Sequence, residues 1–146
     1  MFYDFSLTIP PNTLKSAATE QKVKLTYGII HRVEIEFPSG CAGLVHTQVY
    51  ENSHQIYPTN PDGNISSDGR AIAFSDRYEL FRMPYQVRLV GWNEDDSYPH
   101  TITFRFGIIP PESFIEYQRE LTLVDKVKKA FGLPPQPYPP PVIPPR

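Results

Sequence analysis

Cysteine is all but missing from this chain: Cys41 stands alone among 146 residues. No internal disulfide can form and a cysteine-rich metal knuckle is excluded, so the simple expectation is a reducing compartment. Apolar runs are short too, none reaching the roughly 18 residues that span a bilayer as a helix. The opening "MFYDFSLTIPPNT" lacks the basic stretch and long apolar run of a secretory signal. The expectation is a protein that uses no signal peptide. Charge of either sign is balanced, with a formal net of −2. That gives no global attraction to nucleic acid or to an acidic membrane surface.

What is plentiful is aromatic residues and proline. Nine Phe, nine Tyr and one Trp are more than a disordered chain carries, so most of the sequence is expected to fold. Its length suits one domain.

The first 110 residues alternate at period two, the mark of half-buried strands. In "FYDFSLTI" the inward set is Tyr3, Phe5, Leu7 and Ile9. "KVKLTYG" offers Val23, Leu25 and Tyr27, and "HRVEIEF" offers Val33, Ile35 and Phe37. "LVHTQVY", "RAIAF", "YELF" and "YQVRLVGW" continue the series. "HTITFRFGI" closes it with Ile102, Phe104, Phe106 and Ile108. About eight strands separated by turn signals predict an all-β antiparallel β-sandwich, jelly-roll or immunoglobulin-like, over residues 1–110.

At "IIPPE" the pattern changes, because Pro110 and Pro111 cannot donate to a ladder. Residues 111–133 read as a C-terminal helical segment. Thr122 and Asp125 resemble a capping box, and Leu123, Val124, Val127, Ala130 and Phe131 fall on one apolar stripe. Gly132 is placed to stop the helix. Residues 134–146, "PPQPYPPPVIPPR", hold eight prolines in thirteen positions. Proline fixes φ and removes the backbone donor, so an extended polyproline rod of some 40 Å is expected.

Chemistry-bearing motifs are few. His31, His46, His54 and His100 are scattered, no G-x-S-x-G elbow occurs, and Cys41 in "PSGCAG" has no basic neighbour to activate it. It reads as a small buried turn residue. "DGNISSDG" starts like a calcium loop, but Ser67 and Ala73 stand where glycine and glutamate are needed. "NEDD" at 93–96 reads as a solvated turn. No catalytic, cofactor or metal site is expected, and the chain is not read as an enzyme. A glycan platform is the small-ligand alternative, with Trp92, Tyr57, Tyr78, Tyr85 and Tyr98 as stacking residues.

The tail carries the functional expectation. A proline-rich rod loses little entropy on binding and exposes apolar faces that it cannot bury itself. Partner contacts are therefore expected from Phe131, Leu133, Tyr138, Val142 and Ile143, with Arg146 as a terminal charge contact. Phe2 and Tyr3 are added because a first strand can pair with another chain's edge.

A sandwich over 1–110 followed by this arm resembles the small β-sandwich accessory proteins of tailed-phage virions, the capsid decoration or cement type. "GCAGLVHTQVYENSHQIYPTNPDG" and "WNEDDSYPHTITFRFGI" are similar to segments of phage-associated proteins. The resemblance implies a homotrimer seated on the major capsid protein or another virion protein, assembled in the host cytoplasm and located in the virion. The alternative is a carbohydrate-binding β-sandwich module whose exposed aromatic row includes Trp92.

Overall fold

The computed structural model describes residues 1–133, apart from the side chains of residues 114–121. Eight strands precede one helix: β1 Phe2–Ile9, β2 Thr19–Lys24, β3 Gly28–Phe37, β4 Val45–Glu51, β5 His54–Tyr57, β6 Arg70–Leu80, β7 Gln86–Asn93, β8 His100–Ile109 and α1 Pro111–Ala130. A unit spanning Met1–Ile108 holds the strands, and a second unit begins at Ile109.

The strands form two four-stranded sheets, ordered β1-β8-β3-β6 and β2-β7-β4-β5. Strand β1 pairs antiparallel with β8, β2 with β7, β3 with β6 and β4 with β5. The chain is thus one long antiparallel hairpin folded across two layers, which is the jelly-roll arrangement of an eight-stranded sandwich. Of the two topologies left open by the sequence, this one is present.

Alternation explains the core. Leu7, Ile9, Ile30, Val33, Ile35, Phe37, Ile102, Phe104, Phe106 and Ile108 come from the first sheet. They meet Val23, Val45, Val49, Ile56, Tyr57, Val87 and Leu89 from the second. Inward and outward residues alternate as a sheet with one wet face requires. A Cβ at Gly91 would lie 2.3 Å from Ile9 Cδ1, so any larger residue there requires the Ile9 side chain to shift. On the wet face of the first sheet, Arg105 joins three strands. Its Nε donates to Asp4 at 2.9 Å, and one terminal nitrogen reaches Glu34 and Glu36, each at 2.6 Å.

Two strands differ from expectation, and the differences cancel in the count. "RAIAF" and "YELF" belong to a single strand of 11 residues, β6. Ser75 and Asp76 are polar because β6 is an edge strand with exposed positions, not because the chain turns there. "HQIY" forms the short β5, which has no period-two pattern: Gln55, Ile56 and Tyr57 are all buried. Strand β2 also stops at Lys24, leaving Leu25 half-buried and Tyr27 in the following loop.

The long connection from β5 to β6 is held by amides. Gln48 Nε2 donates to Gly63 O at 2.6 Å and to Gln55 Oε1 at 3.2 Å. Gln55 Nε2 donates to Pro58 O at 2.7 Å and to the carbonyls of Asn60 and Gly63 at 3.1 Å. Buried amides without such partners would each cost about 1–3 kcal/mol. Here they fasten the loop.

Candidate partner-binding surfaces

Helix α1 begins at Pro111, directly after β8, with no side-chain cap at Pro110. Proline at the first helical position loses nothing, since that N–H is unpaired in any helix. The Thr122–Asp125 pair is therefore no capping box: it lies in the middle of the helix, which passes straight through it. At the other end Gly132 takes φ +70°. Leu133 N donates to Lys128 O at 2.8 Å and Gly132 N to Lys129 O at 3.2 Å. This is a glycine-dependent stop that satisfies the last carbonyls. It also holds Leu133 close to the helix end.

The apolar stripe of α1 is open to solvent. Leu123, Val124, Val127, Phe131 and Leu133 are 60, 43, 56, 79 and 55% exposed. Lys128 and Lys129 close the last turn and Glu112 opens the first, each suited to the helix dipole. Of the partner-binding residues expected from the sequence, Phe131 and Leu133 sit here together. Tyr138, Val142, Ile143 and Arg146 lie outside the described residues, as does the whole proline-rich tail.

Phe2 and Tyr3 are in a different setting. They open β1, which pairs with β8 along its full length, from Phe2 opposite Gly107 to Ile9 opposite His100. The first strand is thus an edge strand of the first sheet. Phe2 points outward and is 64% exposed. Tyr3 packs against the core and stacks on Phe5 with ring centres 6.2 Å apart.

The five aromatics considered for a glycan platform do not form a row. Trp92 is 4% exposed. His46 stacks on it at 5.3 Å and 16°, and Lys15 Nζ lies 5.2 Å from its ring centre. Tyr57 is buried, donating to Asp76 at 3.0 Å, and Tyr78 donates to Glu51. Burial first, then the neighbouring carboxylates, push both phenols above their ordinary range, so each stays a protonated donor. Tyr85 makes an edge contact with Tyr27 at 5.9 Å. Only Tyr98 among the five is strongly exposed, at 68%.

A shallow depression on the outer face of the second sheet was not foreseen. A cleft of about 470 Å³ is lined by Lys15, His46, Asn64, Trp92 and Glu94, among others. Beside it Arg88 lies 4.6 Å from the Tyr50 ring centre and pairs with Glu20. The aromatic faces here are covered by cations rather than open to a sugar. No short-range sequence signal marks this juxtaposition, since its residues come from β2, β4, β7 and three connecting segments.

The remaining titratable residues hold local structure. His46 Nδ1 meets Asn64 Oδ1 at 2.8 Å, and His100 Nε2 meets Asp95 Oδ2 at 2.9 Å. His31 is part-buried, and desolvation lowers its pKa, helped by the N-terminal ammonium and Arg32. Cys41 is fully buried, as expected, and burial raises its thiol pKa. Among the described residues, no three His, Cys, Asp or Glu side chains converge as a metal set would.

"NEDD" is more structured than a solvated turn. Asn93 is wholly buried. Its Nδ2 donates to Tyr98 O at 2.9 Å and Ile9 O at 3.4 Å, and its Oδ1 accepts from Asp95 N at 2.9 Å. Asp95 accepts from the backbone of Ser97 and Tyr98. The bond to His100 is the main cause of its lowered pKa, followed by those two N–H groups. Asn93→Asp turns a buried donor into an anion facing two carbonyls. The expected loss is about 3 kcal/mol of unfolding free energy, read as a lower urea midpoint. An unchanged midpoint would show that Asn93 does not organise this turn.

No family model and no curated protein matches this chain.

Proposed function

We propose that this protein is a non-enzymatic virion structural protein, a capsid decoration or other head-or-tail accessory protein. It holds neighbouring subunits through residues 111–146. The observation that carries this reading is the open stripe on α1. An amphipathic helix gains most of its stability from burying its apolar face, and isolated helices of this length are marginal in water. A stripe with five large side chains 43–79% exposed therefore points to a partner surface. The setting is supported by analogy alone: eight-stranded jelly rolls recur in viral capsid and lectin domains. In a symmetric lattice each modest arm contact is multiplied by avidity.

The test substitutes the stripe in the full chain, with Val124→Asp, Val127→Asp and Phe131→Asp together. Burying each apolar side chain is worth about 1.5–3 kcal/mol. Binding to capsid particles, followed by co-sedimentation, should fall by more than about 100-fold. The urea midpoint should not move, because the whole buried core cluster lies within residues 1–108. Capsid binding at wild-type affinity would overturn the proposal.

A further inference from the structure

We propose that a second copy of this chain pairs along β1, the two first strands running antiparallel about a twofold axis at Phe5. This contact lies in the sandwich and goes beyond the role given to residues 111–146.

Edge strands present unpaired backbone groups, and proteins blunt them with charge, bulges or shortness. Three of the four edges here are treated in that way. Strand β5 has only four residues. Strand β2 carries Glu20, Lys22 and Lys24. Strand β6 carries Arg70, Asp76, Arg77 and Glu79, and its register shifts opposite Ile30–Arg32. Strand β1 has none of these devices. It runs eight residues without proline, glycine or a register shift. Its one charge, Asp4, is engaged by Arg105 at 2.9 Å.

The hydrogen-bond phase fixes which groups point outward. Met1 N donates to Ile108 O at 2.6 Å and Ile108 N to Met1 O at 2.7 Å, a doubly bonded pair. Such pairs alternate along an antiparallel ladder. The odd positions of β1 therefore bond to β8, and the N–H and C=O of Phe2, Asp4, Ser6 and Thr8 face away from it.

One register alone pairs all four of these residues with each other. An axis at Phe5 sets Phe2 against Thr8 of the other copy and Asp4 against Ser6, giving four doubly bonded pairs. An axis at Asp4 would put two carboxylates opposite each other, which destabilises. An axis at Ser6 would set Phe2 against Pro10, which has no N–H to give. Axes between residues would set wet-face side chains against dry-face ones. The axis at Phe5 also extends the dry face. Tyr3 and Phe5 pack against the core yet are only half-buried, whereas Leu7 and Ile9 are buried. In the pair, Phe5 meets Phe5 and Tyr3 meets Leu7. A strand that matches itself in this way is suited to an isologous partner, a second copy.

Cysteine placed on the axis tests the register in the full chain. Opposed Cα atoms at a non-hydrogen-bonded site lie about 4.5 Å apart, within disulfide reach. Phe5→Cys is expected to cross-link to itself under mild oxidation, while Cys41 is buried and stays out of the reaction. Tyr3→Cys should not, because the two copies of that position lie about 14 Å apart along the strands. Light scattering reads the contact itself, and the wild-type chain is expected to be a dimer. Ser6→Pro removes an outward N–H without touching the β8 ladder, so its β-sheet circular dichroism should hold. Losing that donor from both copies should weaken association at least about tenfold. A monomeric wild-type chain, or a Ser6→Pro chain that dimerises as well as wild type, would overturn the proposal. So would equal cross-linking at positions 3 and 5. A monomer whose capsid binding falls with Ser6→Pro would also overturn it, giving this edge to a strand of the capsid particle. A dimer that does not pellet with capsid particles would remove the functional reading and leave this pairing standing.

Discussion

Phe104→Ala is expected to lower the unfolding free energy by about 3–5 kcal/mol, the range for emptying a large aromatic site in a packed core. Phe104 is 0% exposed. It sits in β8, an interior strand with β1 on one side and β3 on the other. Neither neighbour can move inward to fill the gap without breaking a ladder, so the cavity persists and its lining loses dispersion contacts. The measurement is urea unfolding of the full chain. Phe2→Ala serves as the control: Phe2 is on the same sheet but exposed, and its loss should cost no more than about 0.5 kcal/mol. Equal losses for the two would mean that β8 does not run through the middle of the core.

Phe104 was legible in the sequence for the same reason that it matters. "HTITFRFGI" alternates cleanly, and all four of its inward residues are fully buried. Wherever one sheet face is wet and the other dry, period two reports the face directly. The elements misread are those where that contrast fails. Strand β5 has three buried residues in succession, one of them a glutamine whose burial is permitted only by its hydrogen bonds. Strand β6 carries exposed polar residues at its middle, which look the same as a turn when the third dimension is missing.

The helix shows a comparable split. Its stop at Gly132 was readable, because glycine alone takes a positive φ there at no steric cost. Pro110 and Pro111 mark the end of the last strand in the sequence, while Thr122 and Asp125 imitate a cap inside the helix. Capping chemistry is local, and it acts only where backbone N–H groups lack partners. The candidate surfaces divide in the same way. A stripe on one helix is written at fixed spacing in one segment, so Leu123, Val124, Val127 and Phe131 can be placed on it from the sequence. The covering of Trp92 by His46 and Lys15 joins β7, β4 and the turn after β1, and no single segment records it. That cover removes the residue on which the glycan platform most depended.

Removing residues 111–146 is expected to have the largest functional effect of any change to this chain. The buried core cluster lies entirely within residues 1–108, and β8 ends at Ile109, so residues 1–110 retain every strand. The shortened chain should keep its β-sheet circular dichroism and a urea midpoint near that of the full chain. What it loses is the open stripe and the proline-rich tail together. In multivalent attachment contact energies add and binding constants therefore multiply, so the loss is steep rather than graded. The measurement is attachment of the full and shortened chains to capsid particles, read from the pelleted fraction at matched concentrations. A folded 1–110 chain that stays in the supernatant while the full chain pellets is the expected result; a shortened chain that pellets as completely as the full one would contradict a binding role for residues 111–146.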